Sequence, residues 1–358
     1  MKVINTGKQY VIYDDTMEAH DYLPAQAYSV RFDKLTGFYL ERHAPMEVKE
    51  TKIYGAHKAK VDKVMNAFQE FNRNLGVILS GDKGIGKSLF ARLLSIEAVN
   101  NGYPLIIVDS YIPGIAAYLE SIEQETVVLF DEFDKTFKED DDEKCPQSEM
   151  LSLFDGTSSG KKLFIITCNY LGGLNDYLIN RPGRFHYHFR FTYPKEQEIR
   201  EYMEDKLTLK SAFSEIDKVI AFAQKIELNY DCLKAIAFEL NHGESFESAI
   251  EDLNIINWEN PRYEFTLHLR NNKVIEETEC IDLFSSERAE LYFYSKRYDV
   301  DYNVSFDPKN AKWNSKSGSF VVKRDSLEIN PTGECDKDDV LYLTFKKAQV
   351  DNFRFMFS

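Results

Sequence analysis

A chain of 358 residues is too long for one ordinary domain and suits two or three, and 43% hydrophobic with 29% charged residues describes a globular protein, not a disordered one. A formal net charge of −15 argues against broad non-specific binding to nucleic acid, because phosphate repels an acidic surface. No apolar run is long enough to span a bilayer, and residues 1–8 lack the apolar core of a secretory signal. The five cysteines (Cys145, Cys168, Cys232, Cys280, Cys335) are scattered without metal-ligand spacing and read as reduced thiols, so a cytoplasmic location is expected.

In chain order, residues 1–48 carry strand-like pieces at 10–13, 28–32 and 37–40, the last two joined by a hairpin turn at 33–36. Alone they bury too little surface to fold, so this β-rich element is expected to pack on the larger domain C-terminal to it. A helix is expected over 58–72, then a buried strand, Leu75-Gly76-Val77-Ile78-Leu79-Ser80. Gly81-Asp82-Lys83-Gly84-Ile85-Gly86-Lys87-Ser88 comes next and leads into a helix that starts with Leu89. Strand, glycine-rich turn and helix in that order make a phosphate-cradling loop: glycines let successive N–H groups turn inward, and the helix N-terminus adds its positive end. In such a loop Lys87 reaches the β and γ phosphates, and the Ser88 hydroxyl completes a Mg²⁺ site.

A second strand is expected over 104–108, followed by Tyr111-Ile112-Pro113-Gly114 and a helix at 115–122. The apolar run Thr126–Phe130 ends in Asp131 and Glu132, carboxylates placed where open α/β sheets bind ligands. One carboxylate there can support the metal, and the other can take a proton from an attacking water. The acidic run 138–144 reads as a solvated loop. Another apolar strand, 162–168, carries Asn169 at its tip, placed to hold water or the γ phosphate from the side. Arg181 and Arg184 flank a Pro-Gly corner, and arginine suits charge developing on a phosphoryl group in transit, although surface ion pairing would use the same residues.

Taken together, the segments 81–88, 127–135, 150–156, 163–169 and 180–185 resemble the core of AAA+ ATPases, and within them the AAA subgroup proper, over about residues 45–255. The layout, one ATPase with small flanking β elements, is similar to phage-encoded members. The resemblance implies an α/β core with a parallel sheet (49–193) and a small helical lid (194–259), with helices over 196–207, 214–223, 230–240 and 245–253. It implies ATP and Mg²⁺ as ligands. Gly81 to Leu89 would contact nucleotide, with Ile53, Tyr54 and Gly55 near adenine; Ser88 and Asp131 would serve the metal. Glu132 becomes the catalytic base and Asn169 the sensor, while Arg181 and Arg184 complete a neighbouring subunit's site, implying a homo-oligomeric ring, with a hexamer favoured. Asp134 matches a second acid near the subunit interface, and Lys234 is the lid's candidate second sensor. Tyr111 and Ile112 stand either for a shortened pore loop or for an ordinary strand-to-helix turn.

Beyond residue 260 the texture changes to alternating runs at 263–269, 273–275, 290–294, 302–306, 319–323, 340–345 and 353–357, with turn signals between them. This reads as an all-β domain, a sandwich or small barrel. Its aromatic residues Tyr292, Phe293, Tyr294, Tyr298, Tyr302 and Trp313 are expected mainly in the core, with base stacking the alternative. Three functions are compatible with this layout. They are remodelling or disassembly of a protein partner, nucleic-acid handling such as replication or packaging, and an ATP-switched scaffold.

Overall fold

The computed structural model describes every residue except 6, 8–9, 49–51, 55–56, 139–145, 156–159, 180, 182, 256–260, 297, 299, 332–335 and 349–358. The chain divides into two compact units, Met1–Thr192 and Tyr193–Ser358.

In the first unit the elements run β1 (Lys2–Asn5), β2 (Tyr10–Tyr13), β3 (Ala27–Asp33), β4 (Gly37–Arg42), α1 (His57–Glu70), β5 (Leu75–Ser80), α2 (Lys87–Asn100), β6 (Leu105–Val108) and α3 (Ile115–Glu120). They continue with β7 (Thr126–Phe130), α4 (Phe133–Thr136), α5 (Pro146–Asp155), β8 (Lys162–Cys168), α6 (Asp176–Ile179) and β9 (Tyr187–Arg190). Seven strands form one sheet in the order β4-β3-β6-β7-β8-β5-β9, parallel throughout except for the edge pair β3–β4. The runs in β5, β6, β7 and β8 are buried at every residue, as strands covered on both faces must be. Alternate residues feed two cores. Ile78, Val128, Phe130 and Phe164 pack with Phe133, Phe137 and Phe154 on one face. Val77, Leu79, Val127, Leu163 and Ile165 pack with Val64, Phe68, Phe90 and Leu94 on the other.

The 33–36 turn forms as expected, but its strands do more than pack on the core. β3 pairs in parallel with β6, so the N-terminal element extends the sheet itself. Register then fixes the site: Ser80 lies opposite Cys168 and Phe130 opposite Ile166, so the tips of β7, β8 and β5 are neighbours.

The second unit opens with α7 (Glu196–Lys206), α8 (Ile216–Ala223), α9 (Tyr230–Asn241) and α10 (Phe246–Asp252), close to the spans read from periodicity. Asn229 and Ser245 cap α9 and α10 by accepting the N–H of Cys232 and Ser248. The strands after α10 are β10 (Arg262–Leu269), β11 (Val274–Cys280), β12 (Ala289–Ser295), β13 (Val300–Phe306), β14 (Lys312–Asn314), β15 (Ser319–Lys323), β16 (Leu327–Pro331) and β17 (Val340–Lys347). They form a five-stranded sheet, β11-β10-β17-β15-β14, and a three-stranded one, β12-β13-β16, all antiparallel. Both sheets supply one core, which makes the domain a sandwich. The strand expected at 353–357 lies outside the described residues. Phe293 and Tyr302 are core residues and Tyr298 and Trp313 pack against them, whereas Tyr292 and Tyr294 are exposed.

Candidate active site

The loop after β5 is shaped by glycines. Gly86 sits at φ 100°, directly before α2, and Gly81 at φ 135°, where a Cβ would lie 2.4 Å from the Phe191 carbonyl oxygen. Both conformations favour glycine, and they turn the loop back over the start of the helix. Lys87 opens α2 with only 7% of its surface exposed. Its ammonium donates to the carbonyls of Gly81 (2.6 Å) and Asp82 (2.5 Å) and to Asn169 Oδ1 (3.0 Å). Burial weakens this base's hold on its proton, against the opposing pull of nearby acidic groups. Ser88 is exposed at the helix start.

Asn169 stands at the tip of β8 and works in two directions. Its Oδ1 accepts from Lys87, and its Nδ2 donates to Glu132 Oε1 at 3.3 Å. Its backbone N–H, with that of Tyr170, donates to Asp134 Oδ2, each at 3.1 Å. Asp134 therefore clamps the strand tip that carries Asn169. Thr167 ties β7 to β8 at the same level: its hydroxyl donates to Asp131 Oδ1 (2.6 Å) and accepts the Glu132 N–H (2.8 Å). Glu132 occupies the left-handed region at φ 48°, a sparsely populated conformation for a residue with a side chain. Lys135 donates to its carboxylate at 2.5 Å, which holds that carboxyl below its ordinary range.

Tyr54 is buried, with the Lys52 ammonium 5.3 Å from its ring centre; Gly55 lies outside the described residues. The Tyr54 carbonyl is 2.6 Å from His57 Nδ1, and the His57 ring packs 5.6 Å from Phe191 and 6.0 Å from Phe90. His57 Nε2 also lies 3.5 Å from where a Cβ on Gly86 would be, so this segment reaches the phosphate loop.

The two arginines are not equivalent, contrary to the expectation that the corner presents both. Arg181 is exposed, 5.9 Å from the Tyr177 ring centre. Arg184 is 5% exposed, grips both carboxylate oxygens of Asp155 and donates to the Tyr177 carbonyl at 2.7 Å. As placed, it is a fastener within its own chain. Tyr111 likewise turns inward, its hydroxyl donating to Glu149 at 2.7 Å and its ring 5.6 Å from Phe137, as in an ordinary strand-to-helix turn. Lys234 is exposed on α9 in the second unit.

Sequence reading passed over three participants. Thr167 was legible only as a strand residue, Asp155 only as part of a helix end, and Lys135 only as a basic residue three places after Glu132. The Lys135 spacing on a helix was the one available signal.

For a divalent cation, the serine hydroxyl and the Asp131 carboxylate are hard oxygen donors of the kind Mg²⁺ prefers. Among the described residues no cluster of three His, Cys, Asp or Glu side chains is placed to hold a metal ion. Nor is any helix among the described residues long and apolar enough to cross a membrane.

Residues 77–193 match the family model described as "ATPase family associated with various cellular activities (AAA)". No curated protein matches the chain. The matched segment spans the phosphate loop, both carboxylates, Asn169 and both arginines, and so residues 77–193 carry an AAA-type ATPase domain.

Proposed function

We propose that the chain hydrolyses ATP with Mg²⁺ as an oligomeric ring, with six subunits favoured, and uses the cycle to remodel or disassemble a protein partner in the cytoplasm. The observation that carries the hydrolytic reading is the Asn169 side chain, which joins Lys87 on one side to Glu132 on the other. One amide thereby links the phosphate-binding group to the base.

In this reading Lys87 leaves the loop carbonyls for the β and γ phosphates, and the inward N–H groups of residues 81–88 bind phosphate oxygens. Ser88 and Asp131 hold the Mg²⁺, which when bound neutralises charge on the phosphates. Water attacks the γ phosphorus as the bond to the β-phosphate oxygen breaks, and Glu132 takes the water's proton, leaving ADP and phosphate. Asn169 keeps Glu132 and the γ phosphate in register. Arg181 is the arginine free to reach a neighbouring subunit's site, where such a group accounts for roughly three to five powers of ten in turnover. Arg184 acts the same way only if its pair with Asp155 opens. The net charge of −15 favours a protein partner over nucleic acid.

Glu132→Gln tests the reading: it should bind ATP normally, form an ATP-stabilised ring on sizing, and lose about two to four powers of ten in turnover. Turnover near wild type would remove Glu132 as the base. A monomer whose rate per subunit stays flat with concentration would remove the shared site.

A further inference from the structure

The outer face of the five-stranded sheet carries a trough of about 640 Å³ that ATP hydrolysis leaves unused. Its floor follows from strand register. Val321 on β15 lies opposite Thr344 on β17, and one row along, Lys323, Tyr342 and His268 align across β15, β17 and β10. Cross-strand partners share a face, and the intervening row of Val322, Leu343 and Leu267 is core, so these rows point outward. The register of β17 on β10 then slips: His268 pairs with Tyr342 but Leu269 with Val340, which makes Leu341 the extra residue. The slip leaves Leu341 and Tyr342 in succession on the surface, 43% and 39% exposed. His268 is fixed in this floor, its ring stacked 4.3 Å from that of Tyr342 and its Nε2 sharing a 2.8 Å hydrogen bond with Thr344 Oγ1. The walls are polar and positive. Asn314, Ser317 and Ser319 supply an amide and hydroxyls, while Lys323 and Arg324 supply charge. Lys312, opposite Val321 on the edge strand β14, stands beside them. Arg324 is partly engaged, donating to the Lys337 carbonyl at 3.2 Å with Asp338 4.0 Å away. Among the described residues the ammonium groups of Lys312 and Lys323 have no partner. No Asp or Glu lines the trough, although the chain as a whole carries a net charge of −15.

We propose that this trough docks a short acidic and apolar segment of the partner protein, with carboxylates against Lys323 and Lys312 and an apolar side chain on Leu341 and Tyr342. The proposal deepens the protein-partner reading above and rests on it, but the site needs nothing from the ATP chemistry. Free cations beside exposed apolar side chains suit a ligand that is both acidic and apolar, and the trough has the size of a small-ligand site. A peptide is favoured over nucleic acid by the reach of the charges. A short segment feels mainly the cations within a Debye length of about 8–10 Å. A nucleic-acid strand would run on across an acidic surface that repels its phosphates.

The test pans random heptapeptides displayed on phage against the full chain and, in parallel, against its Lys323→Glu variant. The most enriched peptide is then labelled with fluorescein and its affinity measured by anisotropy. Enriched peptides should combine Asp or Glu with Phe, Leu or Trp, and should be missing from the Lys323→Glu selection. Lys323→Glu should weaken the labelled peptide about tenfold, because an exposed attraction becomes a repulsion, and affinity should fall as salt is raised. Leu341→Ser should weaken it roughly three- to tenfold through lost apolar contact. No enrichment, enriched peptides without acidic residues, or binding indifferent to Lys323→Glu overturns the site. An oligothymidylate of about ten nucleotides that binds more tightly than the peptide, and is weakened by Lys323→Glu, overturns the peptide in favour of nucleic acid. Should Lys323→Glu fold poorly, Lys312→Glu carries the same readouts. Normal turnover in Glu132→Gln would remove the hydrolytic reading and leave peptide docking standing, whereas failed docking beside an inactive Glu132→Gln removes the docking site alone.

Discussion

Two lysines are buried beside the same strand, one at each end of β8, and only one of them belongs to the candidate active site. Lys162 opens the strand, is 0% exposed, and donates to the carbonyls of Ile122 (2.7 Å) and Gly160 (3.0 Å). Lys87 lies by the far tip, about 20 Å along a strand of this length, and also donates to two carbonyls. Burial lowers the proton affinity of both, Lys162 to about 8. The surroundings separate them. Lys162 is sealed at the amino edge of the sheet, with Glu120 as its charged neighbour. Lys87 faces loop carbonyls, an amide at a strand tip, and the carboxylates of Asp82, Asp134 and Asp131. A buried lysine becomes a ligand-binding group when its partners are loop atoms that an incoming anion can replace.

The sharpest way to break the comparison is Lys87→Ala. ATP affinity should fall by roughly two to three powers of ten, the worth of two charge-assisted contacts, in a calorimetric titration. Unchanged affinity would make Lys87 as structural as Lys162.

Next in size is the arginine corner, which repeats the contrast between a sealed and an available cation. Arg184→Ala should cost about 2 kcal/mol of unfolding free energy in urea, less than for a fully buried pair because Asp155 is 43% exposed. Arg181→Ala should leave stability unchanged. Equal stability in both variants would show that the Asp155 contact does not hold the corner.

The smallest effect on ATP binding belongs to Lys162→Met, which should leave ATP affinity untouched. Because the Lys162 ammonium titrates near 8 in the folded chain and near 10.4 in an unfolded one, the unfolded state binds more protons between those values. Stability should therefore rise with pH across that window in the wild type, and this part of the rise should vanish in Lys162→Met.

Much of the site was legible in the sequence because it is built from local signals. The loop 81–88 announces its own backbone through glycines at positions that need positive φ. The strands 75–80, 126–130 and 162–168 are buried on both faces and so read as unbroken apolar runs. What escaped was non-local or half-buried. The pairing of β3 with β6 joins residues far apart in the chain and leaves no mark in either run. β9, Tyr-His-Phe-Arg, is half-buried throughout and shows neither alternation nor an apolar run. β1, β14 and β16 were likewise not anticipated; β14 has three residues, too few for a period. The Arg184–Asp155 pair spans 29 positions, and nothing in the Pro-Gly corner says which arginine turns inward.

The left-handed backbone at Glu132 bears on how this protein would respond to selection. A side chain in that region costs on the order of 1 kcal/mol relative to glycine, and the cost falls on the proposed base. A library sorted for heat resistance alone would be rewarded for drifting to glycine there, and on the proposed mechanism its most durable members would be inert. On that mechanism durability and turnover are set against each other at a single backbone torsion, and any effort to toughen this protein has to hold that position fixed.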